Sequence, residues 1–118
     1  MELVVTLDCL DTEALADFWL AALSPLAYRR SFDAPPYLSL VSEQGPTLLL
    51  QRVPEPKSTK NRMHLDLGVQ DVDAEVDRLL GLGASTVATD LTEHGYHWTV
   101  LADPEGNELC IFLKPEST

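Results

Sequence analysis

"VVTLDCLDTEALADFWLAAL" (Val4–Leu23) and "HLDLGVQDVDAEVDRLLGLG" (His64–Gly83) lie sixty positions apart and follow one pattern. Leu7 meets Leu67, Asp11 meets Asp71, Ala14 meets Ala74, Asp17 meets Asp77 and Leu20 meets Leu80. Each copy opens on an alternation. Leu3, Val5, Leu7 and Cys9 alternate with Glu2, Val4, Thr6 and Asp8, and Met63, Leu65, Leu67 and Val69 with Arg62, His64, Asp66 and Gly68. A period of two marks a strand with one apolar face. Asp11 and Asp71 then stand in N-cap position, where a carboxylate accepts from the free amides of the first helical turn. The helices that follow carry apolar stripes: Leu15, Phe18, Trp19 and Ala22 in the first, and Val72, Val76, Leu79 and Leu80 in the second, with Gly83 suited to end it.

Working outward, three strand-like runs follow each helix. In the first copy they are 27–32, 37–42 and 47–53; in the second, 85–91, 96–102 and 107–113. Pro35-Pro36, Gln44-Gly45-Pro46, His94-Gly95 and Pro104-Glu105-Gly106 supply the turns between them. "PEPKSTK" (54–60) is polar and proline-bearing, as a connector should be. The expected architecture is therefore α+β, with two βαβββ modules, 1–53 and 61–118, in one domain spanning 1–118. Each sheet has one face for its helix and another left to line something concave.

At 118 residues and 45% apolar composition the chain can bury a core. No apolar run approaches the ~18 residues of a membrane span. The sequence passes straight into a strand, so no signal peptide is expected, and two cysteines in such a chain fit reduced thiols in a cytoplasm. A formal charge of −11 disfavours DNA, RNA and anionic membranes as partners and would attract a cationic ligand. Richness in Ala, Leu and Asp with few Lys fits a bacterial origin.

"LADFW", "LLLQRVPEPKSTKNRMHLDL", "DVDAEVDRLLGLGA" and "WTVLADPEGNELCIF", in this order, resemble the vicinal oxygen chelate superfamily of glyoxalase I, fosfomycin-resistance transferases, extradiol dioxygenases and bleomycin-resistance proteins. The likeness is greatest to the small glyoxalase-like domain proteins. It implies that the modules curl into an incomplete barrel around a cavity, and that the protein pairs as a homodimer. It also implies where a divalent metal would be held. The first-strand ligand lies seven residues before the capping Asp, which is His64 in the second copy and Val4 in the first. The last-strand ligand is a Glu after a "DPxGN" turn, a place taken here by Cys110. Its first-copy counterpart is Leu50 by the sixty-residue shift, or Gln51 if the strand slips by one.

This altered set, His64 and Cys110 with Gln51, leaves an incomplete site for magnesium, manganese or iron; zinc accepts Cys and His but usually takes three protein ligands. The expected function is metal-independent binding or sequestration of a small molecule, cationic or aromatic. The alternative is a metal-dependent lyase, isomerase or thiol transferase with an atypical His64/Cys110 site. Arg62, His64 and Asp66 share one strand face and read as a polar cavity wall or as a plain salt-bridged cluster. Trp98 and Tyr96 point one way, as cavity-lining or ordinary sheet-face aromatics. Cys110 shares its face with Glu108 and Phe112. It is open to three readings: packing, a cavity wall, or a nucleophile whose pKa His64 lowers. His94 and His97 read as surface residues.

Overall fold

The computed structural model describes residues 2–114. It divides between Ser58 and Thr59 into two compact units. The first holds β1 (Val4–Cys9), α1 (Thr12–Ala22), a short 3-10 turn (Ser24–Leu26), β2 (Arg29–Ala34), β3 (Tyr37–Ser42) and β4 (Gly45–Arg52). The second holds β5 (Leu65–Val69), α2 (Val72–Gly81), β6 (Ser85–Glu93), β7 (Tyr96–Ala102) and β8 (Glu108–Leu113). Each unit is thus one βαβββ module, and the α+β class follows.

Both sheets have the same order, β1-β4-β3-β2 and β5-β8-β7-β6. The opening strand runs parallel to the last, and the other pairs are antiparallel. Neither sheet closes on itself. The parallel pairing puts the opening strand beside the last one, so residues far apart in sequence share a row: Thr6 faces Leu49, and Asp66 faces Cys110.

The helices start where the capping residues dictate. Asp11 accepts from the Ala14 N–H and Asp71 from the Ala74 N–H, at 3.1 and 3.0 Å. The first module packs Leu15, Phe18 and Trp19 of α1 over Leu38, Leu40, Leu48 and Leu50 of its sheet, all buried. Phe18 and Trp19 meet edge to face, 5.3 Å apart at 90°. The second module buries Val72 and Leu79 of α2 together with Leu101, Leu109 and Ile111. Leu80, expected on the stripe, is 37% exposed. At ~100° per residue it lies about 80° round the helix from Val72, on the flank rather than the packed face. Gly83, at φ +116°, ends α2 in the left-handed conformation its position requires.

Several expected boundaries move. β2 begins at Arg29 rather than at 27, because Ala27 adopts left-handed geometry (φ 56°) and closes the preceding turn by donating its N–H to Ser24 O. β4 starts two residues early at Gly45, and β6 runs on to Glu93. β8 starts at Glu108, since Asn107 belongs to the turn held by Asp103. β5 starts only at Leu65, so the alternation read back to Arg62 crosses a bend at 62–63. Met63, assigned to the apolar face, is 76% exposed for this reason.

Candidate functional site

In the second module α2 covers one face of the sheet. The other face carries a cavity of about 530 Å³. Its lining follows from strand register. One row across the sheet is Leu91–Trp98–Phe112–Gly68, from β6, β7, β8 and β5 in turn. The next row is Val100–Cys110–Asp66. The first row is apolar, with two aromatic rings at its centre; the second ends in a thiol and a carboxylate. His64, just before β5, and Glu108, at the start of β8, extend the polar side, and Tyr96 and Lys60 complete the lining.

The polar corner is tightly connected. His64 Nδ1 stands 2.7 Å from Asp66 Oδ1 and 3.8 Å from Cys110 Sγ. An ionised carboxylate only accepts, so the short contact places a proton on Nδ1 and, in the neutral ring, leaves Nε2 as the acceptor. A nitrogen that donates to Asp66 cannot also take the Cys110 proton. The thiol is instead pushed up to about 11, first by burial, then by the Asp66 carboxylate and its hydrogen bond, and by Glu108. Burial and the Asp66 carboxylate push the thiol in the direction opposite to the expected lowering by His64, which favours its protonated form. Among the readings of Cys110, the structure gives it a largely buried place in the cavity wall, 9% exposed.

Lys60 Nζ pairs with Glu108 Oε1 at 2.6 Å, and Asn61 Oδ1 accepts from the Glu108 N–H. These contacts tie the end of the connector to the start of β8. Of the two carboxylates in the lining, Glu108 is paired with Lys60 and Asp66 with the His64 ring.

His64, Asp66, Trp98 and Cys110 are brought together; Arg62 is not. The bend before β5 removes it from the strand face that would have aimed it inward. Gln51 also changes place. Gln51 faces Asp8 and Tyr37, as Phe112 faces Gly68 and Trp98, so Gln51 is the counterpart of Phe112. The counterpart of Cys110 is Leu49, which faces Thr6. Lys60, Leu91 and Val100 also line the cavity and carry no signal of it in the sequence. Lys60 reads as connector, and Leu91 lies in a strand whose register shifts twice against β7, which breaks simple alternation.

A metal finds three donors here. One ligand atom each from His64, Asp66 and Cys110 lie within 4.8 Å of one another. Zinc accepts nitrogen, oxygen and sulfur donors of these kinds, at ~2.0–2.3 Å. A single carboxylate oxygen does not suit magnesium or manganese.

Two open βαβββ sheets, one with a walled cavity on its helix-free face, define a protein of the glyoxalase and bleomycin-resistance fold. The model of the glyoxalase-like domain matches residues 4–112, and the chain belongs to that family. Solved structures agree on the fold. A glyoxalase/bleomycin resistance protein/dioxygenase family enzyme from Burkholderia phytofirmans PsJN is 18% identical, with 95% of this chain and 97% of that one covered and a TM-score of 0.78. A glyoxalase-related enzyme from Fulvimarina pelagi is 23% identical, with 98% and 88% covered and a TM-score of 0.76. The bleomycin resistance determinant encoded on the transposon Tn5 is 16% identical, with 98% and 99% covered and a TM-score of 0.68. A search of curated proteins gives no significant match. No helix among the described residues is long and apolar enough to cross a membrane.

Proposed function

We propose that the protein binds a small aromatic or cationic molecule in the second module's cavity, without a metal and without turning it over. The observation that carries this is the pairing of rows: Trp98 and Phe112 line the cavity side by side, and the neighbouring row ends at Asp66. A flat ring stacks on the first while a positive group meets the second. Each such aromatic contact with a cation contributes ~0.5–2 kcal/mol. Sequestration needs shape and charge of this sort and no catalyst, and a bleomycin resistance determinant shares the fold. The two thiols support a cytoplasmic setting, and the family resemblance supports a homodimer.

Calorimetric titration with a panel of aromatic cations and their neutral analogues tests this. Saturable one-to-one binding is expected, with the ligand recovered unchanged. Trp98→Ala should weaken it about tenfold, the loss of one buried ring contact. Failure of the whole panel to bind, or recovery of a converted product, would sink the proposal.

A second reading rests on the His64, Asp66 and Cys110 donors. If they hold zinc, the ion would supply a Lewis acid for lyase, isomerase or thiol-transfer chemistry. His64 and Asp66 would then orient it, and the aromatic row would position the substrate. Cobalt substitution decides it: a thiolate-to-cobalt absorption band that Cys110→Ala abolishes supports the metal, and a featureless spectrum at saturating cobalt excludes it.

A further inference from the structure

Gly68 lies in the middle of β5, on the same face as His64 and Asp66, at the end of the aromatic row. It has no positive φ, so its backbone does not call for glycine. Space does. A Cβ built on Gly68 would stand 2.7 Å from Phe112 Cζ, 3.1 Å from Cε2 and 3.3 Å from Cε1. The Phe112 ring therefore lies down over the bare backbone of β5. Trp98 flanks Phe112 on the opposite strand, and β5 lies beneath the ring, so the open direction is into the cavity. A methyl group at 68 would drive the ring roughly 1 Å that way to restore ordinary carbon contact near ~3.7 Å.

We infer that Gly68 sets the depth of the cavity, and with it a preference for a flat ring system over a globular apolar group. This rests on the ligand-binding role proposed above and deepens it. The missing side chain keeps Phe112 low and broadside, so the floor of the cavity is a ring face. A flat ring gains full contact on such a floor, whereas a globular group touches it at a few atoms.

The test uses two monocations, flat N-methylquinolinium and globular adamantan-1-ammonium, titrated calorimetrically into the intact protein. The wild type should bind the flat cation more tightly. Gly68→Ala, checked for fold by circular dichroism and thermal melting, should bind it about tenfold more weakly. In a Phe112→Leu background the same change should cost nothing, because the ring it displaces is gone. Unchanged binding in Gly68→Ala, an equal loss in the Phe112→Leu background, or a wild-type preference for the globular cation would overturn the inference. Should the wild type bind neither cation, the aromatic-cation part of the proposed function fails, and proton NMR decides the floor. The Gly68 Hα signals should be shifted upfield by the Phe112 ring and return in Phe112→Leu; signals in their ordinary place, unmoved by that substitution, overturn it.

Discussion

Asp66 and Cys110 face one another directly across the parallel β5–β8 ladder, and the corresponding pair in the first module is Thr6 and Leu49. The fold thus provides two equivalent positions and fills only one with a carboxylate and a thiol. The consequence for Cys110 is measurable, because a buried thiol beside a carboxylate resists ionisation.

Alkylation of Cys110 by iodoacetamide, followed by mass spectrometry, should be slow at pH 8 and rise only as pH approaches the thiol's value of about 11. Asp66→Asn should move that rise to lower pH. A rise centred near the ordinary thiol value would refute this. The sign for stability follows. A thiol pKa raised on folding favours the native state fully below the ordinary value of 9.0, and that contribution is lost as pH climbs through about 11. The melting temperature should therefore fall more steeply across that window in the wild type than in Cys110→Ala.

Asp103 is 2% exposed and accepts from the backbone N–H groups of Glu105 and Asn107, each at 2.9 Å, and from the Asn107 side-chain amide. Asp103→Ala leaves those donors without their acceptor, and a loss of about 3 kcal/mol in urea denaturation is expected. A loss under about 1 kcal/mol would mean that water replaces the carboxylate there.

Asp11→Ala and Asp71→Ala remove matching caps from α1 and α2. Each should lower stability by about 1 kcal/mol. Markedly unequal losses in thermal melts would show that the two helices do not depend alike on their caps.

Trp19→Ala should cost about 3–5 kcal/mol, since the ring is 1% exposed and packs edge to face on Phe18. Leu80→Ala, on the flank of α2, should cost under about 1 kcal/mol. Equal costs would contradict the packing described.

The repeat, the caps and the order of elements are legible in the sequence because they rest on local signals. Tyr37–Ser42 and Tyr96–Ala102 are found to the residue. His64, Asp66, Trp98 and Cys110 are likewise recoverable as one group, partly from alternation and partly from family resemblance. What failed was counting across a loop. Strand register shows that the second copy holds one more residue than the first between its helix and its third strand. A fixed sixty-residue shift cannot see that insertion. In a strand a one-residue error changes the face, which is how Leu50, buried under α1, came to be matched with Cys110 in place of Leu49. Arg62 failed for a kindred reason: alternation in the sequence persists past the point where β5 ends, and nothing local announces the bend.

Matched by register, the two halves have kept different things. Positions packed beneath the helices retain Leu7 with Leu67, Leu40 with Leu101 and Leu48 with Leu109. On the opposite faces, Thr6 and Asp66, Asp8 and Gly68, Leu49 and Cys110, Gln51 and Phe112, and Tyr37 and Trp98 share no identity. Beneath the helices the exchanges are milder, as Leu50 with Ile111 and Leu38 with Thr99, so the two modules diverge most on the faces away from the helices. One side of a strand can change freely while the other keeps the largely apolar character that holds the fold, so new specificities on this framework need not pass through unstable intermediates.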